Sequence, residues 1–132
     1  WNVQDYFQTT GASPLSQYTW HHIAVGQNAG TAFIYVDGVA KSVTTVGSPT
    51  FRAVTNNTAT ASGYKIGANT GGYAMNGYID EFRISNIARY TTNFTPSTVA
   101  FTSDSNTNLL LHMDGADGGT EGMGDVGIDR VC

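Results

Sequence analysis

The chain has 132 residues, enough for one domain with a real core and too few for two ordinary ones. Only 12% of its residues are charged, and a formal charge of -4 provides no basic stripe for phosphate, which argues against sequence-independent nucleic-acid binding and likewise against membrane-surface binding. No apolar run approaches the roughly 20 residues of a spanning helix, no signal segment opens the chain, and the single cysteine, Cys132, excludes an internal disulfide framework or a thiolate metal cluster. The low charge, with Gly, Thr, Ser and Asn abundant, suits an extracellular or virion surface. Because the first residue is Trp1, the expectation is a processed product, an excised piece or a stretch that begins mid-polypeptide.

In chain order, "WHHIAV" (20–25), "TAFIYV" (31–36) and "VAKSVTTV" (39–46) predict a three-stranded meander. Asp37-Gly38 joins the last two, and a two-residue turn of that type needs positive φ at both central positions, which Asp and Gly tolerate. Phe33 and Tyr35 alternate with Ile34 and Val36, so this strand carries bulky groups on both faces and belongs inside a sandwich rather than at its edge. Residues 44–63 are dense in Thr, Ser, Asn and Ala without a sustained period, and predict a long loop or irregular edge. "YKIGA" (64–68) and "GYIDEFRIS" (77–85) predict two further strands, and "NIARYTTNFTPS" (86–97) the one helical turn, stopped ahead of Pro96. "NLLLHMDG" (108–115) predicts a last strand, and the glycine-rich acidic remainder has little to pack. Short strands with turns between them indicate an all-β fold, an antiparallel β-sandwich or jelly roll.

Taken together and in this order, "WHHIAV", "IYVDGV", "YKIGA", "GYIDEFRISNIARYTTNFTP" and "LLLHMDG" resemble the laminin-G-like, concanavalin A-like jelly-roll domains of bacterial surface proteins and phage virion proteins. The resemblance spans residues 18 to 116. It places the family's tryptophan-histidine strand on Trp20, His21 and His22, its hairpin on Asp37 and Gly38, and its isoleucine-acid-acid strand on Ile79, Asp80 and Glu81. In such domains a phrase like "LLLHMDG" usually comes first, ahead of strands that have no counterpart before Trp20. The expected organisation is therefore the C-terminal part of a sandwich over 1–107, a final strand or the start of a following repeat over 108–116, and a glycine-rich acidic tail over 117–132. Sheets so arranged carry unpaired edges, and exposed edges invite pairing. A neighbouring subunit or a missing chain segment is expected to complete them.

The acid in the apolar row of "GYIDEFRIS" needs an explanation, since strict alternation sets Tyr78, Asp80, Phe82 and Ile84 on one face. Asp80 either accepts hydrogen bonds from loop amides or, as the resemblance implies, ligates a structural Ca²⁺. Calcium wants about 6 to 8 oxygen ligands, and no D-x-D-x-D-G loop supplies them. Glu81 is expected to face the other way in a solvated ion pair with Arg83. His21 and His22 are adjacent on a strand, so their rings leave opposite faces and cannot share a metal; His112 and Asp114 share a face but lack further ligands. Trp20 is expected to anchor the core with Ile79, Phe82 and Ile84. "GMGDVG" (122–127) lacks the strand and helix that give G-x-G-x-x-G its meaning, and the sequons at Asn56 and Asn93 matter only in a glycosylating host.

An enzyme of related jelly-roll type resembles its relatives in an E-x-D-x-E strand, whose alternate acids flank the scissile bond. Here Asp80 and Glu81 stand side by side, and the order of residues suggests no Ser-His-Asp or Cys-His arrangement. The expectation is a non-catalytic module for adhesion that takes a glycan as ligand. Its candidate contacts are Tyr73 with Asn69 and Asn76, because a ring face stacks on a pyranose while amides bond its hydroxyls. The alternatives are a purely structural decoration, fibre or filament subunit, and an accessory carbohydrate-binding domain of a hydrolase.

Overall fold

The computed structural model describes residues 6–11, 14–46, 66–67 and 74–113. Among these the regular structure is entirely strand: β1 (Tyr6–Thr9), β2 (Ile23–Asn28), β3 (Thr31–Val36), β4 (Val39–Lys41), β5 (Val43–Val46), β6 (Phe82–Ser85) and β7 (Thr107–Leu111). Among the described residues every pairing is antiparallel, in three sheets: β1 with β5, β2-β3-β4, and β6 with β7. The chain divides into two compact units, Trp1–Phe51 with Asn86–Val99, and Arg52–Ser85 with Ala100–Cys132.

In the first unit the meander forms because each hairpin has a turn suited to the right-handed twist. Asp37 and Gly38 sit at φ of 53° and 76°, and Ala29 and Gly30 at 48° and 81°, so both turns have two left-handed central residues. The Gln27 side chain closes the second by accepting the Gly30 N–H at 2.9 Å. Cross-strand register puts Ala24, Gly26, Phe33, Tyr35 and Ala40 on one face and Ile23, Val25, Ile34, Val36 and Val39 on the other. Gly26 leaves room for Phe33: a Cβ there would lie 2.7 Å from Cζ of that ring, which crosses the strand and would have to shift. Tyr35 and Val36 are buried and centre this unit's core.

The run "VAKSVTTV" is two strands rather than one. β4 ends at Lys41 on the meander, and β5 starts at Val43 on β1, with Ser42 at the corner accepting the Thr10 N–H at 3.0 Å. The loop expected from residue 44 therefore begins with strand, and its remainder, 47–63, lies outside the described residues. β1 itself lies ahead of Trp20, where no strand was predicted.

The helical turn predicted over 86–97 is irregular chain instead. It bonds to the meander through one amide and one side chain: the Phe94 N–H donates to the Gly38 carbonyl at 2.9 Å, and Asn93 Oδ1 accepts the Ala40 N–H at 2.9 Å. These bonds take the place of a helical ladder. The segment lays Phe94 on Tyr35, ring centroids 5.5 Å apart, and stacks Tyr90 on Phe94 at 3.6 Å and 7°.

In the second unit β6 and β7 pair with an irregularity at Ile84/Ser85, and Leu110 is 0% exposed. An Asx turn starts β7: Asp104 Oδ1 accepts the Asn106 N–H at 2.9 Å and the buried Thr107 hydroxyl at 2.9 Å. The strand predicted over 64–68 is described only at Ile66 and Gly67, which form a bend.

Trp20 is not a core residue. It precedes β2 outside the ladder and is 67% exposed, while Tyr35, Val36 and Leu110 are the buried hydrophobic side chains among the described residues. Ile79, Phe82 and Ile84 are half-buried.

Candidate functional site

The three histidines meet described carboxylates at two places, one in each unit. In the first, His21 and His22 lead into β2 and Asp37 opens the turn after β3. Asp37 and His22 extend the ladder by one step: the Asp37 N–H donates to the His22 carbonyl at 2.8 Å, and the His22 N–H donates to Asp37 Oδ1 at 2.9 Å. The other carboxylate oxygen meets His21 Nδ1 at 2.7 Å. The hydrogen bond from His21 and then that from the His22 amide hold the Asp37 carboxyl below its ordinary value of 3.8, against a desolvation cost.

Beyond His21 stands Ser16. Its Oγ lies 3.0 Å from Nε2, which completes a Ser16-His21-Asp37 chain that residue order does not suggest. The spacing resembles a nucleophilic triad, but the other partners of Nε2 argue otherwise. That nitrogen also faces the main chain of Ser16, its N–H at 3.1 Å and its carbonyl at 3.3 Å, and the N–H competes with the hydroxyl for the ring's lone pair. A general base needs that lone pair for the nucleophile's proton. The arrangement closes the loop from Ser16 to His21 against the hairpin turn.

His22 leaves the other side of the strand. Its ring meets Tyr90 at 5.8 Å and Phe94 at 5.3 Å, both edge-on. Each of the adjacent histidines is half-buried, and each has its own surroundings.

In the second cluster, Glu81 rather than Asp80 is the organising acid. Glu81 has φ of 52°, which breaks the alternation just before β6 and turns Asp80 and Tyr78 outward; Tyr78 is 78% exposed. Glu81 Oε2 accepts the Phe101 N–H at 2.7 Å, and Oε1 meets His112 Nδ1 at 2.7 Å. Partial burial pushes this carboxyl up, but the Phe101 amide, His112 and the charge of Arg83 together outweigh it and leave the group below 4.5. The expected solvated pair of Glu81 with Arg83 gives way to this inward clamp, and the Arg83 guanidinium lies over the Phe101 ring, 4.0 Å from its centroid.

Asp80 is exposed, and its Oδ1 accepts the Glu81 N–H at 3.0 Å. Among the described residues no group of three or more His, Cys, Asp or Glu is placed to hold a metal ion. A lone exposed carboxylate falls far short of the about 6 to 8 oxygens a calcium ion takes, so the described surroundings of Asp80 do not fit that ion. Asp114 lies outside the described residues, as do Tyr73 and Asn69 of the candidate glycan contacts; Asn76 is exposed.

A family model of laminin-G type, described as the concanavalin A-like lectin/glucanases superfamily, matches residues 1–93. The matched stretch takes in β1, ahead of Trp20. No curated protein and no solved structure matches the chain.

Proposed function

Because the chain belongs to the concanavalin A-like lectin/glucanase superfamily, we propose that it is a non-catalytic β-sandwich module of an extracellular or virion surface, used for adhesion to glycans. The observation that carries the non-catalytic reading is the use made of the acids. Each described carboxylate accepts a backbone N–H of its own chain: Asp37 from His22, Asp80 from Glu81, Glu81 from Phe101, and Asp104 from Asn106. Glycoside hydrolysis needs two carboxyl groups about 5 to 9 Å apart and free to face the sugar. Acids committed to the backbone support binding without turnover.

The test offers the intact chain an array of immobilised glycans, followed by the retained glycans in solution. Retention without release of reducing ends is expected. Retention of none removes the adhesive reading, and release of reducing ends removes the non-catalytic one.

A second reading, an assembly subunit whose sheets are completed by neighbouring polypeptide, draws support from apolar side chains left exposed on one face of the meander. Ile23, Val25 and Val39 share that face and are exposed, Val25 to 68%, beside the edge strand β2. Sedimentation of the isolated chain separates the two, since a stable monomer that retains glycan favours the first and self-association without glycan binding the second.

A further inference from the structure

The first unit contains a recess of about 300 Å³ between the β2–β3 hairpin and the chain at Tyr90, lined by Asn28, Thr31, Phe33, Tyr35, Tyr90 and Thr91 among others. We infer that this recess is a carbohydrate subsite that takes one neutral hexose ring, the terminal residue of a glycan. The inference rests on the glycan-binding reading and locates it.

Chemistry of the walls narrows the ligand. Phe33, Tyr35 and Tyr90 supply aromatic surface, while Asn28, Thr31 and Thr91 are exposed and bring an amide and two hydroxyls to the rim. A hexose matches this mixture, with C–H groups on one side of its ring and hydroxyls around its edge. A wholly apolar ligand would leave the rim groups unpaired, at a cost. None of the lining residues carries a charge at neutral pH, so nothing in the recess would compensate a phosphate, a sulfate or a sugar acid. Its volume stands at the lower end of ligand pockets, about 300 to 1,000 Å³, which suits one ring rather than a chain of them.

Rigidity is built in. Asn28 and Thr31 flank the two-residue turn that Gln27 closes, so the hairpin rim does not need ordering on binding. Tyr90 is fixed from behind by Phe94, stacked at 3.6 Å, and from the side by the edge-on His22 ring. Phe94 covers one face of Tyr90, so the ligand meets the other face or the edge. This assigns His22 and Phe94 a positioning role beneath the recess.

The experiment compares the wild-type chain with Asn28→Ala and Thr91→Val on an array bearing terminal neutral hexoses and, separately, terminal sialic acid. Both substitutions are at exposed positions, and unchanged thermal melts establish that the fold is kept. The expected result is wild-type retention of neutral hexoses and a loss of roughly fivefold or more in each variant, the effect of one hydrogen bond. Wild-type retention that both variants keep in full overturns the location while the glycan reading stands. Retention of sialylated glycans alone overturns the neutral class, and retention of none overturns this inference together with the reading beneath it. Tyr90→Phe keeps the ring and its stack; binding lost in Tyr90→Phe together with a lowered melt, but kept in the other two, also counts against the site.

Discussion

Glu81 and His112 meet at 2.7 Å across the entrance to the β6–β7 pair, and the same carboxylate takes the Phe101 amide on its other oxygen. The clamp ties the left-handed residue before β6 to the end of β7 and to the irregular chain that precedes it.

The Glu81 carboxyl is held below 4.5, so its contribution to stability is present above that value and lost as pH falls through the lower value of the folded state. Glu81→Gln is expected to cost about 1.5 to 3 kcal/mol at neutral pH, the range for a hydrogen bond to a charged group. It should also flatten the acid limb of the stability profile below 4.5. Urea melts across that limb provide the check, and an unchanged slope in the variant refutes the clamp.

Asp37 combines a left-handed backbone with two side-chain bonds. Asparagine tolerates φ of 53° and can still accept the His22 N–H, whereas alanine does neither well. Thermal melts should therefore rank wild type above Asp37→Asn and Asp37→Ala lowest. Because the carboxyl sits below 3.8, the gap between wild type and Asp37→Asn should narrow as pH falls past that value. The reverse ranking would sink the assignment.

Gly38 and Gly30 separate backbone strain from crowding. Both have positive φ, but a Cβ at Gly30 meets nothing within 4 Å, while one at Gly38 would run into the Phe94 carbonyl. Gly30→Ala is expected to cost about 1 to 2 kcal/mol, from the left-handed conformation alone. Gly38→Ala should cost more, since Phe94 and the segment it anchors must move. Equal denaturant midpoints for the two variants would show that Phe94 does not dock on this turn.

Leu110 is fully enclosed, while its neighbours Leu109 and Leu111 are half-buried. Leu110→Ala should lose about 2 to 5 kcal/mol, and alanine at the flanking positions less. Denaturant unfolding of the three variants tests the order.

Ser16 stands in a hydrogen-bonded chain with His21 and Asp37, yet its own main-chain N–H and carbonyl compete for the same imidazole nitrogen. A fluorophosphonate probe, which labels activated serines, is expected to leave Ser16 unmodified in the folded chain. Mass-spectrometric labelling at Ser16 would restore a catalytic reading.

The all-β antiparallel character could be read from the residues because its signals are local. A turn such as Asp37-Gly38 needs two residues that accept positive φ, and "TAFIYV" alternates wherever it is placed. The acid at the start of β6 was less legible. Alternation through "GYIDEFRIS" assumes unbroken strand, and a single left-handed residue, Glu81, exchanged the roles of the two acids. The Ser16-His21 contact likewise depends on a loop that folds back over five residues, which no periodicity announces.

By itself, then, the order of amino acids determined strand, turn and the absence of a spanning apolar run, because φ preference and side-chain period act within a few residues. Partner choice belonged to the tertiary structure. "VAKSVTTV" has one β pattern throughout, but the chain leaves the meander at Ser42 and continues on β1, which begins more than thirty residues earlier. Residues 86–97 were expected to form a helical turn, but the Phe94 amide bonds to the Gly38 carbonyl and the Asn93 side chain to the Ala40 amide instead. In both cases hydrogen bonds and ring packing between distant segments outweighed local preference, and such contacts exist only once the chain has folded.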